Sequence, residues 1–270
     1  MIARELSPLH GSFLKLDRAK KHIKELRCEI ADFESSNPYQ LVYEQKVEGG
    51  EIICRLSVNQ PPPSKEWAVI IGDVVHNLRS ALDLLACSLV KAHTVGSDCF
   101  KLRVSFPISN SEIEFLDGGL KRVSGASELV KTIIEGLQPY KGGNNLFYWI
   151  SELDNLDKHR LLIPTFTPVN VSSAHIENSA PIDPAKGGAT IKIAQAISPP
   201  FKNNAAMFRF IPINCTIKPK VNMDANMSLA VAFHNTDLVD GRPVIPLLGD
   251  CAYTVEQTLA LFLPHVPPKM

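Results

Sequence analysis

A chain of 270 residues with 45% hydrophobic and 21% charged side chains has the composition of a globular protein with a substantial core, which excludes extended disorder. Its 28 basic and 28 acidic residues cancel without any polybasic run, so no extended nucleic-acid surface held by phosphate contacts is expected. No apolar run reaches the roughly 18 residues needed for a membrane span, and six scattered cysteines without CxxC or metal-like spacing point to reduced thiols in a cytoplasmic protein.

The first expected element is a helix from about Leu9 to Phe33. Leu14, Leu16, Ala19, Ile23, Leu26 and Ile30 supply its apolar face, and Lys20, Lys21, Lys24 and Glu25 its wet one. Ser35-Ser36-Asn37-Pro38 ends it, because the residue before a proline resists helix and proline lacks a donor. Two short runs, Gln40 to Val47 and Glu51 to Val58, flank Glu48-Gly49-Gly50 and predict a β-hairpin over about 40–58.

After Pro61-Pro62-Pro63, Ser64 is an N-cap candidate for a long helix running to about His93. Phe106-Pro107-Ile108 is expected to cross the core, and short helices are expected near Ser111 to Phe115 and Ser127 to Leu137. Gln138-Pro139-Tyr140-Lys141-Gly142-Gly143 interrupts the pattern, and Asn144 or Asn145 caps a further helix through about Arg160. Beyond Leu162, Thr165 to Val171, Ala189 to Ala196, Met207 to Cys215 and Ser228 to Phe233 have strand character, and a last helix is expected over about Asp250 to Leu263. The fold class expected is therefore α+β. A helical portion (1–161) with an inserted hairpin precedes a mostly antiparallel β portion (162–270), and a closing C-terminal helix packs back on the first.

The segment Gly72 to Asp83 carries the first chemical signal. At about 100° per residue, Asp73, His76, Asn77, Arg79, Ser80 and Asp83 share one arc, opposite Val74, Val75, Leu78, Ala81, Leu82 and Leu85. A plain solvent face would carry Lys and Glu in i,i+4 pairs. An imidazole, an amide, a guanidinium, a hydroxyl and two acids are instead able to do chemistry. The second signal is Leu153 to Arg160, where Asp157 and Arg160 fall within the apolar arc of Leu146, Trp149, Ile150, Leu153 and Leu156. Charges in an apolar setting need partners. The two helices are therefore expected to pack with these faces together, Arg79 meeting Asp157 and Asp73 or Asp83 meeting Arg160.

The candidate cluster is His76, Arg79, Asp83, Asp157, His159 and Arg160. Three functions fit it: a structural or ligand-binding network, a metal-independent hydrolytic site for RNA or another phosphodiester with His76 or His159 as acid–base, and a metal pocket using Asp73, His76, Asp83 or Asp157. HExxH and paired Glu-x-x-His patterns are absent, which argues against the metal, and no cofactor motif occurs. The partners left open are a small ligand, RNA and a second copy of the chain. Lys141-Gly142-Gly143-Asn144-Asn145 fits a glycine loop with an Asn cap better than an anion site, and Cys87 fits a small buried hydrophobe.

The motifs His76-Asn77-Leu78-Arg79-Ser80-Ala81-Leu82-Asp83, Phe106-Pro107-Ile108, Leu137-Gln138-Pro139-Tyr140 and Leu156-Asp157-Lys158-His159-Arg160 resemble a family of uncharacterised bacterial proteins of similar length. The resemblance covers roughly residues 60–165 and implies a common architecture. A more remote similarity is to HEPN domains, helical bundles that often dimerise and cleave RNA with an Arg-x4–6-His motif. This chain departs from that motif, since neither Arg79 nor His159 has its partner at the required spacing. The two would have to meet in space.

Overall fold

The computed structural model describes residues 7–36, 64–94, 96, 98–162, 164, 231–233 and 238–266. Of these, 69% are helical. Helix α1 spans His10–Ser35, α2 Lys65–His93, α3 Glu112–Gly118, α4 Glu128–Gly136, α5 Asn145–Asp157 and α6 Val244–Phe262. Short 3-10 turns follow α3 at Gly119–Val123 and α6 at Leu263–His265.

Helix α2 is the axis of the bundle. Ser64 caps it, its hydroxyl accepting from the Glu66 N–H at 3.1 Å. Ile71, Val74, Val75, Leu78, Ala81, Leu82, Leu85, Ala86 and Leu89 are fully buried along it, and α1, α5 and α6 all pack against it. A helix touched on so many sides cannot be amphipathic in the simple sense, and its remaining polar residues lie in the seams between neighbours. Helix α1 lays Phe13, Leu16, Ala19, Ile23, Leu26 and Ile30 on this core. Leu14, expected on that face, is exposed, and Phe13 takes its place. Trp67 packs edge-on against Phe33 and donates its Nε1–H to Glu29 at 2.9 Å, fixing the start of α2 on the end of α1.

Helix α3 runs three residues past its expected end at Phe115, and two further boundaries differ from the sequence reading. Helix α5 stops at Asp157, and Lys158 to Arg160 form a closing turn. Helix α6 starts six residues earlier than expected, with Pro243 at the N-cap and Pro246 inside the first turn. Prolines are tolerated there because first-turn N–H groups have no intrahelical acceptor. Cys251, Val255, Leu259 and Phe262 face the core from α6, whereas Leu261 is exposed.

The α+β expectation is overturned. The described residues are mainly helical, with one short strand segment at 231–233 and no sheet. Four runs between Thr165 and Phe233 have strand character in the sequence, but nearly all of that stretch, like the expected hairpin at 40–58, lies outside the described residues. Where side chains are described, spacing of three and four dominates. Phe233 is joined to the bundle through main-chain bonds to the stretch that leads into α6. Its N–H donates to the Arg242 carbonyl at 3.0 Å and its carbonyl accepts from Gly241 N–H at 2.9 Å, with Gly241 at φ +72°. Helix α6 then shares the core of α1, α2 and α5. Among the described residues no helix is long and apolar enough to cross a membrane.

Candidate functional site

The polar residues of α2 divide into two groups that face different neighbours. Asp73 and His76, in the first half of the helix, meet α5. Arg79 and Asp83, one to two turns later, meet the segment around Phe106.

The α2–α5 seam is built on a glycine. Gly72 is buried, and a Cβ at that position would collide with the Asp157 carboxylate. Asp157 therefore seats its side chain directly on the α2 backbone. One turn further along, Asp154 is almost completely buried and accepts from His76 Nδ1 at 3.0 Å and from Lys158 Nζ at 2.7 Å. A carboxylate can only accept, so the contact is satisfied by the tautomer with its proton on Nδ1, which leaves Nε2 for another partner. The contrast in exposure is what gives the pair its character. The His76 side chain is 56% exposed and the Asp154 side chain 5%. A buried acid thus orients an imidazole whose outer edge meets solvent.

The seam is rich in carboxylates. Burial pushes the Asp157 carboxyl up, as do the charges of Asp154 and Asp73, and His76 opposes them. Asp73 is exposed, and its carbonyl accepts from the Asn77 side-chain amide at 2.7 Å. Lys158 is the cation at the seam, half exposed and bound to Asp154.

The second group is a clamp on an extended stretch of main chain. Arg79 forks onto Asp83, Nε to Oδ2 at 3.2 Å and Nη2 to Oδ1 at 2.9 Å. Arg79 Nη2 also donates to the Phe106 carbonyl at 3.1 Å, and Asp83 Oδ1 accepts the Phe106 N–H at 2.9 Å. The ion pair offers Phe106 one donor and one acceptor, much as a neighbouring strand would. Phe106, fully buried and stacked on Phe147 at 5.6 Å, needs both because its backbone groups have no water. Arg79 Nη1 is buried and makes no hydrogen bond.

The expected cross-link between Arg79 and Asp157 is not the one found. Asp157 sits at Gly72, and Arg79 lies seven residues on, about 10 Å along the helix axis at 1.5 Å per residue. Arg79 takes Asp83 on its own helix instead. Arg160 and His159 are exposed, and among the described residues neither forms an ion pair. Their placement in the apolar arc assumed that helical phase continues to residue 160. The helix ends at Asp157, and the N–H groups of His159 and Arg160 both turn back to Leu156 O, at 3.0 and 2.8 Å. Of the six candidates, His76 and Asp157 share one seam, Arg79 and Asp83 share another, and His159 and Arg160 sit on the surface.

Asp154, Lys158 and Gly72 build the seam, and none of them stood among the six candidates. Asp154 follows Phe147 and Ile150 in a row spaced by three and four, both fully buried, which places it at the centre of the buried face. Lys158 is its i,i+4 partner. The glycine loop behaves as the plainer reading holds. Asn144 Oδ1 accepts from Leu146 N–H at 3.2 Å, and Asn145 Oδ1 accepts from Gly142 N–H at 2.9 Å. On α1, His22 Nδ1 contacts Glu25 Oε2 at 3.2 Å. Among the described residues no three His, Cys, Asp or Glu side chains converge as ligands for a metal. The chain matches no protein-family model, no curated protein and no solved structure.

Proposed function

We propose that the α2–α5 seam is an acid–base site, with His76 as the group that gives and takes the proton and Asp154 as the residue that positions it. The carrying observation is the exposed imidazole bound through Nδ1 to a buried carboxylate. That arrangement fixes the tautomer and ring orientation and stabilises the imidazolium formed when Nε2 accepts a proton. Lys158, bonded to the second oxygen of Asp154, holds the carboxylate in place.

The substrate class to test first is a phosphodiester, RNA included. Lys158, His159 and Arg160 are consecutive, exposed and basic, and the first of them is bonded to the acid that holds His76. Lys158, bonded to Asp154, and Arg160, two residues on, bring positive charge to this end of α5 for an anionic group. Arg79 does not serve that role here, because both of its bonded nitrogens are engaged by Asp83 and Phe106. In this reading His76 acts without Arg79, so the RNA-cleaving pairing of Arg79 with His159 is set aside.

The test is cleavage of a labelled RNA oligonucleotide and of a chromogenic phosphodiester in the presence of a chelator. His76→Ala is expected to lower the rate by about 10²–10⁴-fold, far beyond what a stability loss of about 1 kcal/mol, from removing one of the two partners of buried Asp154, could cause. A variant that cleaves like the parent, or a parent that cleaves neither substrate, overturns the proposal. The second reading, in which the polar groups only join helices, is favoured for Arg79 and Asp83 by their closed bonding to Phe106.

A further inference from the structure

Arg79, Asp83, Cys87 and Lys91 follow one another at i,i+4 along α2 and form one stripe. The segment from Asp98 to Phe106 is fastened to that stripe at both ends. At one end, Arg79 and Asp83 hold the main chain of Phe106. At the other, the Cys99 thiol donates to the Cys87 carbonyl oxygen at 3.6 Å. The segment between is closed on itself. Asp98 Oδ1 accepts from the N–H groups of Phe100 and Lys101 at 3.0 and 3.3 Å, and Val104 N–H donates to the Cys99 carbonyl at 2.9 Å. This turn directs Cys99 toward α2 and leaves Phe100 in solvent, 92% exposed.

The Cys99 sulfur, bonded to the Cys87 main chain, lies near enough to the Cys87 thiol to act on it. Burial pushes the Cys87 thiol up to about 12, and the neighbouring Cys99 acts in the same direction. Lys91 opposes this shift and Asp83 adds to it. Cys87 and Cys99 are both free and both half-buried, whereas Cys251 is fully buried and Cys28 is exposed.

We propose that Cys87 and Cys99 are a reversible dithiol–disulfide pair that, when oxidised, ties the 98–106 strap covalently to α2. The oxidant is a low-molecular-weight disulfide. Cys99, as thiolate, attacks one sulfur of that disulfide, breaking its S–S bond and releasing one thiol. Cys87 then loses its proton, attacks the Cys99 sulfur of the mixed disulfide and expels the second thiol. The two cysteines lose two electrons, the incoming disulfide gains them, and the two cysteine protons end on the two released thiols. Cys99 makes the first attack because Cys87 is held in its protonated form. The new bond closes the loop from residue 87 to residue 99 and fixes the end of the strap opposite the Arg79–Asp83 clamp.

The reduced full-length chain is incubated with oxidised glutathione, quenched by alkylation and mapped by mass spectrometry. The expected result is a Cys87–Cys99 cross-linked peptide that dithiothreitol reverses, with slower hydrogen exchange over 98–106. Cys28, the exposed comparison, is expected to collect glutathione instead. Cys99→Ser is expected to abolish the cross-link without altering the far-ultraviolet circular dichroism of the reduced protein. Cys87→Ser is expected to leave Cys99 as a stable glutathione adduct. Three results overturn the proposal: Cys99 ending as a glutathione adduct in the parent, both thiols unmodified while Cys28 reacts, or Cys87 bonded to a different cysteine.

Discussion

Replacing Gly72 by alanine opposes two effects of known size. Alanine in a helix interior is favoured over glycine by about 1 kcal/mol. The added Cβ would occupy the volume held by the Asp157 carboxylate, and forcing a group into a filled site costs about 1–3 kcal/mol. Gly72→Ala alone is therefore expected to fall between neutral and about 2 kcal/mol destabilising, although the helix itself gains. With Asp157→Ala in the background the obstruction is gone, and the same Gly72→Ala change is expected to stabilise by about 1 kcal/mol. The difference between the two backgrounds, about 1–3 kcal/mol, is the coupling across the seam, measured by urea unfolding of the four proteins of the double-mutant cycle. Equal stabilisation in both backgrounds would refute the seating of Asp157 on Gly72, and with it the geometry that places Asp154 beside His76.

Three further outcomes are expected. The Asp157 carboxyl is held above its ordinary value by burial and by its acidic neighbours, so the native state binds its proton more tightly than the unfolded chain. The stability this provides is full below the unfolded value and is lost as pH rises through the raised native one. Asp157→Asn should then stabilise the protein at neutral pH, with the advantage fading toward acid, and denaturant unfolding of both proteins across pH checks this; an advantage that grows toward acid would contradict it. Arg79→Ala should cost about 2–3 kcal/mol in urea unfolding, less than a fully buried pair because Asp83 retains some water, and a loss under about 0.5 kcal/mol would show that the clamp on Phe106 carries little. Asp154→Asn should cost about 1–2 kcal/mol by the same assay, since His76 and Lys158 both regain water when released; no loss at all would contradict the bonding of Asp154 to both.

The helices were legible in the sequence wherever apolar spacing and capping residues agreed. Ser64 marks the start of α2, Asn144 that of α5, and the Phe106-Pro107-Ile108 stretch is buried as its composition implies. The start of α6 was not legible, because Pro243 and Pro246 carry a turn signal that also fits the first turn of a helix. For the site, the sequence indicated that α2 and α5 meet through polar residues but assigned the pairing to Arg79 and Asp157, whereas His76 and Asp154 make it. Arc arithmetic treats a helix as having one polar face, whereas α2 is surrounded and its polar residues serve two neighbours. It also carries helical phase past Asp157, where the chain turns, and so assigns Arg160 to an interior it does not enter. Asp154 was overlooked because an acid among Leu153, Asn155 and Leu156 attracts no notice until the tertiary neighbour His76 is known.

The most direct test of the acid–base site is the nitrogen-15 spectrum of the His76 imidazole in its neutral form, in the parent protein and in Asp154→Asn. The expected result is a proton on Nδ1 and a bare Nε2 in the parent, with Asp154→Asn moving the proton toward Nε2. A parent protein whose His76 carries its proton on Nε2, unchanged by Asp154→Asn, would contradict the central claim that buried Asp154 orients an exposed base.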